Sequence, residues 1–174
     1  ETNFIYKIRS VELIAWTTII FGILLYVADK FKLQKKINND LSYKSAIFIG
    51  FFQVLSLIPG VSRSGITITA ARFLKFERYD SAKISFLLSI PTLGAVSIFG
   101  LNNLINSESL EFSFLNLLSI TLSFIFSLIT IKFFLSFIQK FSLKIFVIYR
   151  IFLGLILLYL SCLLYTSPSP RDFQ

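Results

Sequence analysis

Four apolar blocks, Val11 to Ala28, Ile84 to Leu101, Phe112 to Ile131 and Ile145 to Leu164, leave this chain very little choice of fold. Each is long enough to cross a hydrocarbon core about 30 Å thick, which takes roughly 17–25 residues of helix. No water is available at that depth, so a spanning segment must satisfy its own backbone N–H and C=O groups. The blocks therefore predict an all-α, polytopic membrane protein. A chain that is 55% hydrophobic and only 15% charged, with mean hydropathy +0.78, is too apolar for a soluble domain of its length.

The net charge of +8 is not a nucleic-acid footprint. The basic residues lie in short runs between apolar blocks, with no basic face interleaved with aromatics, so no nucleic-acid partner is expected. They orient the chain instead. The stretch Asp29 to Lys44 holds Lys30, Lys32, Lys35, Lys36 and Lys44, and Phe133 to Lys144 holds Lys140 and Lys144, so both are placed on the cytoplasmic side. Asn102 to Glu111 carries Glu108 and Glu111 and no lysine or arginine, which places it opposite. Cys162 is the single cysteine and cannot form an internal disulfide, and there is no histidine to act as base or metal ligand.

The segment Ser45 to Ala71 lies between two basic stretches, the second containing Arg72, Lys75, Arg78 and Lys83, so both its ends face the cytoplasm. Its arms, Ser45 to Ile58 and Ile66 to Ala71, are too short to cross; at about 1.5 Å per residue the first reaches roughly 21 Å. A re-entrant helical hairpin, broken at Pro59-Gly60, satisfies both constraints, since proline ends a helix and glycine permits the reversal. Irregular backbone at that depth must be buried in protein or line a wet cavity.

At the tip the sequence reads Pro59-Gly60-Val61-Ser62-Arg63-Ser64-Gly65-Ile66-Thr67. An arginine near mid-membrane costs at least about 2.5–3.5 kcal/mol on insertion scales, which marks it as functional. The planar fork of Arg63 suits two phosphate oxygens at once. Ser62, Ser64 and Thr67 add hydroxyls, and a second half-helix starting near Ser64 aims free amides and a positive dipole end at the same place. The constellation predicts an oxyanion cradle. Alternatives are an Arg63 that snorkels to an interface or pairs with Glu12, and glycines at 60 and 65 that serve helix packing alone. The Gly60 to Gly65 spacing matches a nucleotide P-loop, but Ile66-Thr67 stands where lysine and Ser/Thr belong, which excludes it. Arg150, six residues into the last span, is expected at the cytoplasmic interface, and Pro91 is expected to kink its helix.

Phe52-Gln53, Pro59 to Ile68, Phe86-Leu-Leu-Ser-Ile-Pro91, Ile131-Lys-Phe-Phe-Leu135 and Ile148-Tyr-Arg150 together resemble the signatures of the undecaprenyl-diphosphate phosphatases, the bacitracin-resistance family, from about Phe4 to Ser161. The resemblance implies a multi-pass bacterial inner-membrane enzyme that hydrolyses undecaprenyl diphosphate to the monophosphate, recycling the lipid carrier for cell-wall synthesis. It implies two inverted repeats, each with a re-entrant hairpin, of which the tip here belongs to the second. Arg63, Ser62 and Ser64 then become catalytic residues, with Gly60, Gly65, Thr67 and Gln53 binding the substrate phosphates. The family's first repeat carries Glu-x-x-x-Glu and Pro-x-Ser-Ser-x-Gly-His, to which no position here corresponds. Gln53 resembles the counterpart of the first glutamate. A divalent cation, Mg2+ or Ca2+, is implied with its ligands outside this stretch, and a homodimer is compatible with the resemblance.

The chain, which contains no methionine and opens at Glu1 without a signal peptide, reads as a carboxy-terminal two-thirds fragment, expected to be inactive alone. Residues 1–161 read as membrane domain, and 162–174 as a non-native tail resembling translated adaptor sequence. Physics alone ranks a transporter or channel with an anion-binding re-entrant loop beside the enzyme. A histidine-nucleophile lipid phosphatase and a purely structural subunit fit less well.

Overall fold

The computed structural model describes residues 11–31, 35–106 and 114–166. The acidic stretch with Glu108 and Glu111, Lys32, and everything after Thr166 lie outside the described residues, as do positions 1–10. Regular structure among the described residues is helical apart from one isolated bridge between Lys35 and Phe76. In chain order the helices are α1 (Val11–Asp29), a single turn α2 (Ile37–Asp40), α3 (Tyr43–Val54), α4 (Arg63–Phe73), α5 (Arg78–Asn106), α6 (Phe114–Lys140) and α7 (Lys144–Thr166).

Helices α1, α5, α6 and α7 have the length and hydropathy to span a bilayer, in agreement with the all-α polytopic expectation. Their bounds run further than the apolar blocks. Lys83 falls within α5, and α6 continues to Lys140, so most of the stretch expected as a basic loop after Phe133 is helix, because lysine is a good helix former and its stem reaches water from a helix end. Helix α7 continues past Cys162 to Thr166, since Leu163, Leu164 and Tyr165 extend the apolar run and Pro168 is the first breaker. Pro91 sits inside the continuous α5.

The most extensive pairing is between α1 and α7, which run antiparallel. Small residues make it possible, because lipid supplies no hydrophobic drive and membrane helices associate by close packing. Ala15, Thr18 and Gly22 line the buried stripe of α1. A Cβ on Gly154 would stand 3.1 Å from the Ala15 carbonyl and against the Ile19 side chain, and one on Gly22 would stand 3.3 Å from Arg150 Cβ.

Helices α3 and α4 pack on each other as the two arms of a hairpin, joined by a 3-10 turn at Leu55–Leu57 and a reversal at Pro59-Gly60. Gly60 has φ +87°, a conformation open to glycine at little cost. A Cβ there would also strike Thr17 and stand 2.6 Å from the Ile14 carbonyl, so the tip is pressed directly onto α1. Thr17 Oγ1 donates to the Pro59 carbonyl at 2.7 Å. The Thr18 hydroxyl lies 3.3 Å from the Gly60 carbonyl, although its shorter contact is to Ile14 O in its own helix at 2.7 Å. Thus α1 itself solvates the irregular backbone that lipid could not.

At the other end the hairpin is clamped by charge. Asp29, whose side chain is 5% exposed, accepts two hydrogen bonds from Arg78, Nε to Oδ1 at 2.8 Å and Nη2 to Oδ2 at 3.0 Å. Arg72, 1% exposed, lies 3.3 Å from the same carboxylate and donates to the backbone carbonyls of Asp29, Phe31 and Phe76. Arg72, expected in the basic loop that follows the hairpin, is in the last turn of α4 and buried, where one carboxylate and three carbonyls replace its water. The clamp binds α1, α4 and α5 to one another. Gln53 Nε2 donates to Thr92 Oγ1 at 3.0 Å and Thr67 Oγ1 lies 2.7 Å from Ser85 Oγ, tying each arm of the hairpin to α5.

Candidate functional site: the hairpin tip and the arginine of α7

Depths follow from α1. Gly22, seven residues from the clamp at Asp29, sets Arg150 about 10 Å along the helix, and the contact of Gly60 with Ile14 and Thr17 sets the tip about 18–22 Å along it. The hairpin reaches well into the helix bundle without traversing it.

Ser62 is the N-cap of α4: its backbone is extended and its Oγ accepts from the Gly65 amide at 3.2 Å, while the Ile66 amide donates to the Ser62 carbonyl at 2.9 Å. The first two amides, of Arg63 and Ser64, have no acceptor available within the helix and point out from its positive end. Ser64 Oγ lies 3.3 Å from Ser62 Oγ, so two hydroxyls flank those amides.

Arg150 of α7 joins them. A Cβ built on Gly65 would stand 2.8 Å from Arg150 Nη2 and 3.2 Å from its Cζ, so the guanidinium lies flat on the space that glycine leaves empty. This corrects the expectation of an interfacial Arg150. Close packing of α7 on Gly22 brings its backbone to the hairpin, and its side chain is directed inward to the α4 N-terminus. The site residue that sequence reasoning misplaced was signalled by Gly65 itself, whose missing side chain is room for a partner.

Ser62, Ser64, Gly65 and Arg150 form the polar end of a cavity of about 240 Å3 whose remaining wall, apart from Tyr149, is apolar, including Leu25, Ile68, Phe134 and Phe146. Phe134 and Phe146 meet edge-on at 5.4 Å, and Phe86 meets Phe134 at 5.7 Å, an aromatic wall shared by α5, α6 and α7. An anionic head with a hydrocarbon tail matches this division.

The other expected site residues are distributed around α4 rather than gathered in the cavity. At 100° per residue, Arg63 leaves the helix nearly opposite the face shared by Ser64, Gly65 and Ile68, and it is absent from the cavity wall. It is half-buried, and among the described residues no carboxylate partners it; Glu12 lies instead beside Trp16 and Cys162. Thr67 is 1% exposed and its hydroxyl is engaged with Ser85 and the carbonyls of Arg63 and Ser64, so it supports the tip from behind. Gln53 faces Thr92 and Gly60 faces α1. Two guanidinia thus flank one helix N-terminus from two sides, with two hydroxyls between them.

The donor set decides what this site can hold. Guanidinium N–H groups, hydroxyls and helix amides attract an oxyanion and repel a cation. The described residues contain no group of three or more His, Cys, Asp or Glu side chains able to hold a metal. The divalent cation that the resemblance implies does not fit these residues, and no step here is assigned to it.

The signature of the family described as bacitracin resistance protein BacA matches residues 2–156. The chain is 58% identical over 149 residues to the undecaprenyl-diphosphatase of Pelagibacter ubique strain HTCC1062, which covers 86% of this chain and 58% of that protein. It is 43% identical over 151 residues to the undecaprenyl-diphosphatase of Teredinibacter turnerae (86% of this chain, 57% of the relative), and 38% identical over 162 residues to that of Jannaschia sp. strain CCS1 (92% and 61%). The chain therefore spans just under two thirds of the length of these curated relatives, at 57–61%. Because the matched segment takes in α1, both arms of the hairpin, its tip and the helix that delivers Arg150, the chain belongs to the BacA family of bacitracin resistance proteins.

Proposed function

We infer that this chain supplies the phosphate-gripping half of an undecaprenyl-diphosphate phosphatase in the inner membrane of a bacterium. The observation that carries the reading is the pair of arginines, Arg63 and Arg150, at the amide end of α4 with no salt-bridge partner among the described residues, beside a cavity with a largely apolar, aromatic wall. The curated relatives named as undecaprenyl-diphosphatases support the same substrate class.

In the reaction, water oxygen bonds to the terminal phosphorus, the bridging P–O bond breaks, and the bridging oxygen leaves with the lipid monophosphate. Charge on the transferred phosphoryl oxygens is met by the guanidinia, by the Arg63 and Ser64 amides and by the Ser62 and Ser64 hydroxyls. Such positioning and electrostatic stabilisation make up most of phosphoryl-transfer catalysis. The attacking water and its proton are not assigned to any residue of this chain.

The test is phosphate release from undecaprenyl diphosphate by the protein extended to the full length of its relatives, reconstituted in vesicles. Release of phosphate is expected, with this stretch alone giving none. Anion flux across the vesicle without phosphate release would replace the enzyme by a channel or transporter. The orientation has its own test: with the lysine-rich ends cytoplasmic and the tip reaching toward the outer face, Ser62→Cys, made with the exposed Cys162 replaced by serine, should react with an impermeant thiol reagent added outside. Labelling from the cytoplasmic side alone would reverse the assignment.

A further inference from the structure

A second cavity, about 330 Å3, shares no lining residue with the first; it lies between the C-terminal half of α1 and the first two turns of α7, and the phosphatase reading makes no use of it. Its walls are Ile23 and Tyr26 of α1 and Lys144, Val147, Ile148 and Ile151 of α7. Because the two helices are antiparallel, these residues form rungs. Ile23 and Ile151 stand deepest, Tyr26 with Val147 and Ile148 above them, and Lys144 at the rim. From Lys144 to Ile151 the groove runs about 10 Å. Val147 is buried as its floor, whereas Ile23 and Ile148 are exposed along its sides.

The rim is positive from three sources. Lys144 is the first residue of α7, whose helix N-terminus brings a partial positive charge. Lys30 is held with its Nζ 4.5 Å from the centre of the Tyr26 ring, above the groove. Asp29, the acid nearest in sequence, does not offset these charges, because Arg72 and Arg78 occupy it completely. A tyrosine between apolar wall and lysine rim is the side-chain order of a membrane interface.

We propose that this groove binds an anionic glycerophospholipid, its phosphate between Lys30 and Lys144 and one acyl chain along Ile23, Ile148 and Ile151. Charge complementarity selects the occupant: a zwitterionic lipid presents a cation of its own to the same lysines, and a free phosphate leaves the apolar floor unfilled. The site is separate from the Arg63 and Arg150 cradle, so its success or failure is independent of the enzymatic reading.

Native mass spectrometry of the detergent-solubilised chain, titrated with phosphatidylglycerol or with phosphatidylcholine of matched acyl chains, tests it directly. Phosphatidylglycerol should be retained more tightly, by about fivefold for each lysine and roughly 25-fold for both. Lys30→Gln with Lys144→Gln should bring it down to the phosphatidylcholine level while leaving the melting temperature in phosphatidylcholine unchanged, since both lysines are exposed. Equal retention of the two lipids by the unaltered chain, or undiminished phosphatidylglycerol binding by the double variant, would overturn the proposal. So would a dimer mass whose appearance expels the lipid, which would assign the groove to a second copy.

Discussion

Arg63→Ala, made in the protein at the full length of its relatives, should lower hydrolysis of undecaprenyl diphosphate by about 10²–10³-fold, the loss typical when one preorganised donor to a developing oxyanion is removed. The reason is specific to its position. Arg63 is the first residue of α4, so its charge stands at the end of the helix where the free amides and the positive dipole end lie, and among the described residues no carboxylate competes for it. Arg63→Lys should recover part of the rate, because a point charge replaces a two-pronged donor. Turnover in Arg63→Ala close to that of the unaltered protein would remove Arg63 from the reaction. It would leave Arg150, on the other side of the same helix end, as the cation that meets the substrate.

Asp29→Ala should cost about 3–5 kcal/mol of stability and lower the melting temperature of the purified protein in detergent. The penalty does not come mainly from the lost ion pairs. It comes from Arg72, 1% exposed, which would keep its charge with only backbone carbonyls for company and with its Nε already lacking a hydrogen-bond partner. Arg78→Ala should cost much less, since that side chain is 32% exposed and water screens its pairing. An Asp29→Ala protein that melts with the unaltered one would show that the clamp is incidental and that the packing of the hairpin on α1 and α5 holds it in place without it.

Both expectations turn on the same division of labour. Thr17 and the glycine at 60 seat the tip, the Asp29 clamp seats the other end, and between them α4 is held at a fixed height against α7. A helix held at both ends keeps its N-terminal amides, and the arginines on either side of them, at fixed positions, which is the preorganisation that electrostatic catalysis requires.

Much of this was legible in the amino-acid order alone. The spans follow from the length of the apolar blocks, and the hairpin from two short arms around Pro59-Gly60 between basic stretches. The proposed anion chemistry rests on Ser62, Arg63, Ser64 and Gly65 standing together. These are local properties, written in neighbours a few residues apart, and backbone hydrogen bonding enforces them wherever water is excluded. What the tertiary structure alone decided were the pairings between distant segments. Thr17 takes a carbonyl 42 residues away, Arg72 turns inward to Asp29 and not out to water, Thr67 faces Ser85 rather than the cavity, and Arg150 leaves the interface to lie on Gly65. Each depends on how closely two helices approach and which face each turns. That is set by the summed packing of small residues such as Gly22 and Gly154 along a whole interface, and no single stretch of sequence contains it.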